Sequence, residues 1–294
     1  MFFAILKIEL FKIFKRPRTF IAFVAVAVIV FMVQLAIKVN GKDLLRFFTD
    51  SLGDTFDVPA DQILNGYYVC LFALHTILIH VPLLVALIAA DMISGEANLG
   101  TLRLIAGKPV TRSELVLAKF FASTVYVILL LIWMALIALL GSLLMFGDGG
   151  LFVSKESSIH LMDNHDVLWR FFAAFIFAAL GLTVIAAMGM MFSAFSDNSL
   201  GPIVATVCVV IVFTVLQQLK VPVFEETVNK WSFTTHMLGW KGFFYVEKTA
   251  DGTTIDGSIE NPSALIKSGL VLVGYISLFL FITIRYFKKK DILS

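Results

Sequence analysis

Asp91-Met92-Ile93-Ser94-Gly95-Glu96-Ala97-Asn98-Leu99-Gly100-Thr101-Leu102-Arg103-Leu104-Ile105, then Gly107-Lys108-Pro109-Val110-Thr111-Arg112, then Lys119, is a polar stretch between two long apolar ones. The uncharged run Tyr67–Ala90 ends where it begins, and the uncharged run Phe120–Phe146 starts where it stops. Gly95 and Gly100 permit tight backbone positions. Thr101–Ile105 has the pattern for one or two helical turns, and Pro109 breaks them. Thr111 then caps the next helix, with Glu114 at capping-box spacing. The pattern predicts a short helix parallel to a membrane, held by two long spans. Force applied to such a helix tilts both spans.

The rest of the chain supplies those spans. It is 59% apolar and 15% charged, against about 45–50% and about 25% in soluble domains. Thr19–Ile37, Phe171–Phe195 and Leu200–Leu219 are further uncharged runs, and Ser268–Ile284 is a shorter one between Lys267 and Arg285. At about 1.5 Å per residue each reaches across a hydrocarbon core of about 30 Å, the last only just. The fold class expected is an all-α integral membrane protein, one transmembrane domain over 1–294. It has an interfacial helix over 1–18 and six spans at about 19–37, 67–90, 115–146, 169–195, 200–219 and 266–286. External loops are expected at 38–66, 147–168 and 220–265, the last being the largest, and the 91–119 stretch is internal. The first run is too long for a signal-peptide core and should stay as a span.

Charge orients this layout. The N-terminal segment, the 91–119 stretch, the turn at Ser196–Ser199 and the C-terminal tail hold 13 Lys and Arg against 6 acids. The other side holds 10 bases against 15 acids. Basic loops stay inside, so both termini and the 91–119 stretch are expected to be cytoplasmic. Residues 1–18 interleave phenylalanines with Lys7, Lys12, Lys15 and Arg16, which suits a helix in the headgroup plane that Pro17 ends. The basic end Arg285–Lys290 suits anionic membrane lipid rather than nucleic acid. Trp231, Trp240, Phe243, Phe244 and Tyr245 suit the outer membrane interface. Small residues on the fourth span, among them Gly181, Ala186, Gly189 and Ser193, suit close helix approach within the subunit, or in a dimer or pathway. Gln34 and Gln217-Gln218 suit polar links between helices.

Catalytic patterns are absent. There is no G-x-x-x-x-G-K-[ST] phosphate loop, no H-E-x-x-H and no G-x-S-x-G. Cys70 and Cys208 fall inside spans and read as small apolar residues. No metal site is expected. The candidates for a membrane-embedded ionisable group are His75 and His80, with Asp91 at the cytoplasmic end; the two histidines are five apart and do not share a helix face well. They read as satisfied interior histidines or as residues lining a substrate route.

The 91–119 stretch, in this position between the second and third spans, resembles the first cytoplasmic loop of ABC-2 type transporter permeases. The interfacial N-terminus, six spans and large loop before the sixth are similar across nearly the whole chain. The resemblance implies the membrane subunit of an ABC exporter in the inner (plasma) membrane, working as a dimer with the same or a related permease subunit. It implies two copies of a separate ATPase subunit, which binds the ATP and Mg, so that this chain carries no cofactor and is not itself an enzyme. Family members export lipids, glycans, drugs, peptides or ions. The resemblance assigns Glu96, Gly100, Thr101, Leu102, Arg103, Pro109 and Arg112 to the coupling helix and its surroundings. Lys119, with Arg112, would orient the third span or serve only as a topology charge. Readings from other classes are an ATPase-independent secondary carrier, which would show inverted repeats and broken helices, and a membrane accessory protein or embedded enzyme.

Overall fold

The computed structural model describes residues 2–50, 63–101, 110–155, 158–219, 229–247 and 255–290, with backbone alone for 42–50, 154–155 and 158–161. Helix α1 (Phe2–Lys15) leads into α2 (Pro17–Asp50). Pro17 sits at the first position of α2, where its missing N–H costs nothing. The bend between them is pinned by the Thr19 hydroxyl, which donates to Ile13 O at 2.5 Å. The break expected after Ile37 does not occur. The helix runs on to Asp50, into the stretch expected to be an external loop. Gly41 allows this at close quarters, since a Cβ there would meet Ile37 and Leu64 at 3.1 and 3.2 Å.

The second apolar run is two helices, α3 (Gly66–Ile77) and α4 (Val81–Ala89), bent by 49°. Pro82 at the start of α4 ends straight helix there. The bend is not unwound: Leu78 N donates to Leu74 O, His80 N to Ile77 O and Leu83 N to His80 O. After a short helix α5 (Ser94–Asn98), α6 (Arg112–Ala135) passes through a π-helical turn at Leu136–Leu140 into α7 (Gly141–Phe146). The Gln34 amide stabilises that turn by donating to Ile137 O at 3.0 Å and to the Ser142 hydroxyl at 3.1 Å. Gly141 leaves room for it, since a Cβ would lie 2.9 Å from the Gln34 amide nitrogen.

The all-α expectation fails in one place. Strands β1 (Leu151–Lys155) and β2 (Ser158–Met162) form an antiparallel hairpin with Leu151 opposite Met162 and Lys155 opposite Ser158. Leu151, Val153 and Met162 are buried. A hairpin whose one face is covered satisfies its own backbone, which a connection packed on the bundle requires.

Helix α8 (Asn164–Phe195) is the centre of the bundle. Of its apolar window 67% is buried, against 17% for α9 (Leu200–Gln218) and 6% for the last helix, α11 (Pro262–Lys289). The small residues of α8 explain this, because in lipid close backbone approach rather than hydrophobicity holds helices together. A Cβ on Gly189 would lie 3.1 Å from Ala90 N, and one on Gly181 would lie 3.0 Å from Met237. That face packs inside the chain.

Between α9 and α11, helix α10 (Phe233–Met237) and a 3-10 turn at Leu238–Phe244 fold back onto α8. Trp240 and Phe244 are buried here rather than facing a membrane interface, while Trp231 is 64% exposed. Phe171 on α8 meets Phe244 edge-on at 4.9 Å, and Gly239 lets the backbone rest on the Phe177 ring. Five helices are long and apolar enough to cross a membrane, and the bent α3–α4 pair makes a sixth if it is one span. The protein is a multi-pass membrane protein by these helices.

Candidate functional site

The polar stretch between α4 and α6 sits at the same end of the bundle as both chain termini, and buried charge holds it there. Glu9 of α1, Glu96 of α5 and Lys119 of α6 are 2%, 4% and 1% exposed. Lys12 donates to Glu9 at 2.7 Å and to Glu96 at 2.7 Å. Lys119 lies 2.8 Å from Glu9 and 2.8 Å from Glu96. Two acids and two bases therefore alternate in a closed ring joining three helices. Glu96 Oε2 has no hydrogen-bond partner among the described residues.

Burial favours the uncharged forms of this ring, and the neighbours overrule it. Burial pushes the Glu96 carboxyl up, but the Lys119 ammonium, its hydrogen bond and Lys12 together hold it below the ordinary carboxyl value. Burial lowers Lys12, but its hydrogen bonds to Glu9 and Glu96 and their charges bring it out above the ordinary lysine value. Such a ring adds little stability over apolar residues of similar size, whereas losing one member strands the others. Its effect is to specify which helices meet.

A second knot lies one turn away. The buried Asp91 carboxylate accepts from Arg16 at 2.5 Å and also pairs with Arg18. Gly95 makes room for it, since a Cβ there would lie 2.5 Å from both carboxylate oxygens. The first free N–H groups of α5 are met from another helix. The Ser193 hydroxyl of α8 accepts from Ile93 N at 3.1 Å and from Ser94 N at 2.8 Å. Ser94 in turn donates to Ala90 O at 3.0 Å. So α5 is bound to α1 and α6 through charge and to α8 through a hydroxyl.

Of the residues predicted from sequence, Glu96 lies inside this ring, turned away from solvent. Gly100 takes a left-handed φ of +68°, the usual end of a helix such as α5. The Thr101 hydroxyl donates to Glu96 O at 3.3 Å. Arg112 does not join the ring. It donates to the carbonyls of Phe287 at 3.2 Å, Lys288 at 3.0 Å and Lys290 at 2.5 Å, capping α11, where a cation offsets the helix dipole. The Thr111–Glu114 capping box is formed at the start of α6. Leu102, Arg103 and Pro109 lie outside the described residues, as does most of the expected Thr101–Ile105 helix.

His75 and His80 are not brought together. The His75 ring lies 4.9 Å from that of Trp240, and its Nδ1 is 3.0 Å from Leu71 O. His80 is exposed, with Nδ1 2.8 Å from Thr76 O. His75 borders a cavity of 190 Å³ with Tyr68, Phe152, Lys241 and Tyr245. A cavity of 240 Å³ lies on the other side of Trp240 and Lys241. Among the described residues no group of three His, Cys, Asp or Glu side chains is placed to hold a metal ion.

Sequence reasoning passed over Glu9 and the pairing of Lys12. One signal was available: Glu9 is the sole acid among the first 18 residues, amid five bases. Arg170 was also missed. It is 0% exposed on α8, bonded to Asp166 at 2.6 Å, Phe243 O at 2.6 Å and Ser258 O at 2.7 Å, at the end of the bundle away from the termini.

With this geometry established, comparison with known proteins places the chain. The sequence profile of a family described as "Protein of unknown function (DUF2705)" matches residues 26–293. Among curated proteins, the chain is similar to "Uncharacterized protein YhcI" of Bacillus subtilis (strain 168), 28% identical over 153 residues. That match covers 49% of this chain and 46% of the relative, so the chain aligns with about half of the relative's length.

Proposed function

The chain belongs to the DUF2705 family, and we propose that it is the membrane-spanning permease subunit of an ABC transporter, an exporter driven by a separate ATPase. The observation that carries this reading is the bracing of the 91–101 turn. Three helices grip it through the Glu9–Lys12–Glu96–Lys119 ring and Ser193. A push on the adjoining 102–109 segment would be passed to α1, α6 and the central α8 as one body. Packed groups with discrete arrangements transmit such displacement without dissipating it. Both termini and this turn face the cytoplasm in this reading, as the distribution of Lys and Arg directs. Two permease chains and two ATPase subunits form the working unit, and ATP and Mg reside on the ATPases. Leu102, Arg103 and Pro109 belong to the stretch that meets the ATPase in this reading, and Glu96 acts behind it by holding α5 to α1 and α6.

The test is purification of the tagged chain from native membranes in mild detergent, with assay of ATP turnover. A P-loop ATPase should copurify, and Arg103→Glu should release it. If the chain emerges without a P-loop protein and without ATP turnover, the reading is wrong.

A secondary carrier has one observation in its favour, the bent α3–α4 span beside His75 and His80. Three backbone hydrogen bonds cross the bend, however, onto Leu74 O, Ile77 O and His80 O, so it is a hydrogen-bonded turn and not the unwound stretch of a broken carrier helix.

A further inference from the structure

The 240 Å³ cavity lies between the α3–α4 bend, α8, α9 and the segment 233–244. Its floor is apolar, from Leu78, Pro82, Leu182, Val210 and Met237. Its polar groups are Thr214, Gln217, Gln218, Thr234 and Lys241. Lys241 is half-buried and has no carboxylate partner among the described residues. Its Nζ lies over the Trp240 ring, 6.0 Å from the centroid, and His75 is its neighbour on the side of the smaller cavity. Burial holds its ammonium below the ordinary lysine value, and among the described residues no anion offsets this. A cation desolvated without a counter-ion is costly, and an anion that arrives with its own apolar tail removes that cost. The Gln217 and Gln218 amides at the end of α9 line the same cavity, without a hydrogen-bond partner among the described residues, and can donate to the same headgroup. The volume holds about eight groups of water or methylene size at about 30 Å³ each, enough for a small headgroup and the first part of one chain, not two.

We propose that this cavity binds a single-chain anionic amphiphile, a carboxylate or phosphate monoester whose headgroup lies on Lys241 and the Gln217–Gln218 amides and whose chain lies on Leu182 and Val210. The proposal stands apart from the transporter reading, because binding is measured on this chain without an ATPase.

Trp240 borders the cavity and reports on it. The full chain in nonionic detergent is titrated with bromo-undecanoate, bromo-undecanol, a bromo-undecyl trimethylammonium salt or inorganic phosphate. The signal is the part of the fluorescence quench that Trp240→Phe abolishes. The carboxylate should bind about tenfold more tightly than the alcohol, the ratio one charge-assisted hydrogen bond supplies. Lys241→Gln should erase that preference and Lys241→Arg should keep it. Thr214→Trp, which fills the cavity, should abolish the quench by every amphiphile. Equal binding of alcohol and carboxylate, tighter binding of the cation, or preference surviving in Lys241→Gln would overturn the proposal. Displacement of the amphiphile by inorganic phosphate at equal concentration would show a free-anion site and overturn it too.

Discussion

Two buried cations, Lys119 near the termini and Arg170 at the far end, solve the same problem in opposite ways. Lys119 is neutralised by carboxylates from two other helices, Glu9 and Glu96. Arg170 takes its carboxylate from its own helix, Asp166 one turn earlier, and spends its other donors on the Phe243 and Ser258 carbonyls. The first arrangement depends on three side chains from distant parts of the sequence, so it specifies partners. The second grips backbone, which every residue supplies, so it pins a loop whatever that loop's side chains are. Gly257 N adds to the second by donating to Asp166 at 3.2 Å. Under the proposed transporter reading, a joint that transmits force between particular helices suits the first kind, and a fixed cover suits the second.

The sharpest way to break the comparison is Lys119→Met. It leaves Glu9 and Glu96 buried with Lys12 alone and should cost about 3–5 kcal/mol, read as a lowered thermal midpoint in detergent. Adding Glu96→Gln should recover part of that loss, since it removes a stranded charge. Recovery of nothing would mean that the ring does not act as a unit. Arg170→Lys keeps the charge but not the planar fork, and should cost about 1.5–3 kcal/mol. Its damage should be local, seen as faster proteolysis around 245–260 with the Lys119 end unaffected. Thr111→Ala, which removes an exposed cap of α6, should cost about 1 kcal/mol and leave both cations in place.

The pH dependence probes the ring most finely. Glu96 sits below its ordinary value of 4.5, so its contribution is complete above that value and lost as pH falls through the lower, folded one. Lys12 sits above its ordinary value of 10.5, so its contribution is complete below that value and lost as pH rises through the higher one. The ring should therefore hold constant across neutral pH. In acid, the thermal midpoint of Glu96→Gln should fall less steeply than that of the wild type. Parallel curves would show that Glu96 is not charged in the ring.

Much of the fold was legible because periodicity and composition act locally. Uncharged runs announced the long helices, Pro17 announced the bend between α1 and α2, and Thr111 with Glu114 announced the start of α6. The continuation of α2 past Ile37 was not legible, because charge marks the edge of a membrane and not the end of a helix. The hairpin at 151–162 was missed because its strands are five residues each and carry no clean alternation. The burial of Trp240 was missed because an aromatic cluster reads alike whether it faces lipid or Phe171 and Phe177.

At the candidate site the sequence on its own determined the position of the turn, its glycines and the sign of its surroundings. Each of these follows from residues next to one another or from counting charge. Tertiary structure alone decided that Glu96 faces Lys12 and Lys119 instead of solvent, that Ser193 caps α5, and that Arg112 closes α11. The reason is that charge pairing depends on which helix faces meet, and those faces are chosen by close packing of Gly189 against Ala90 across the central helix, a contact that no local pattern records.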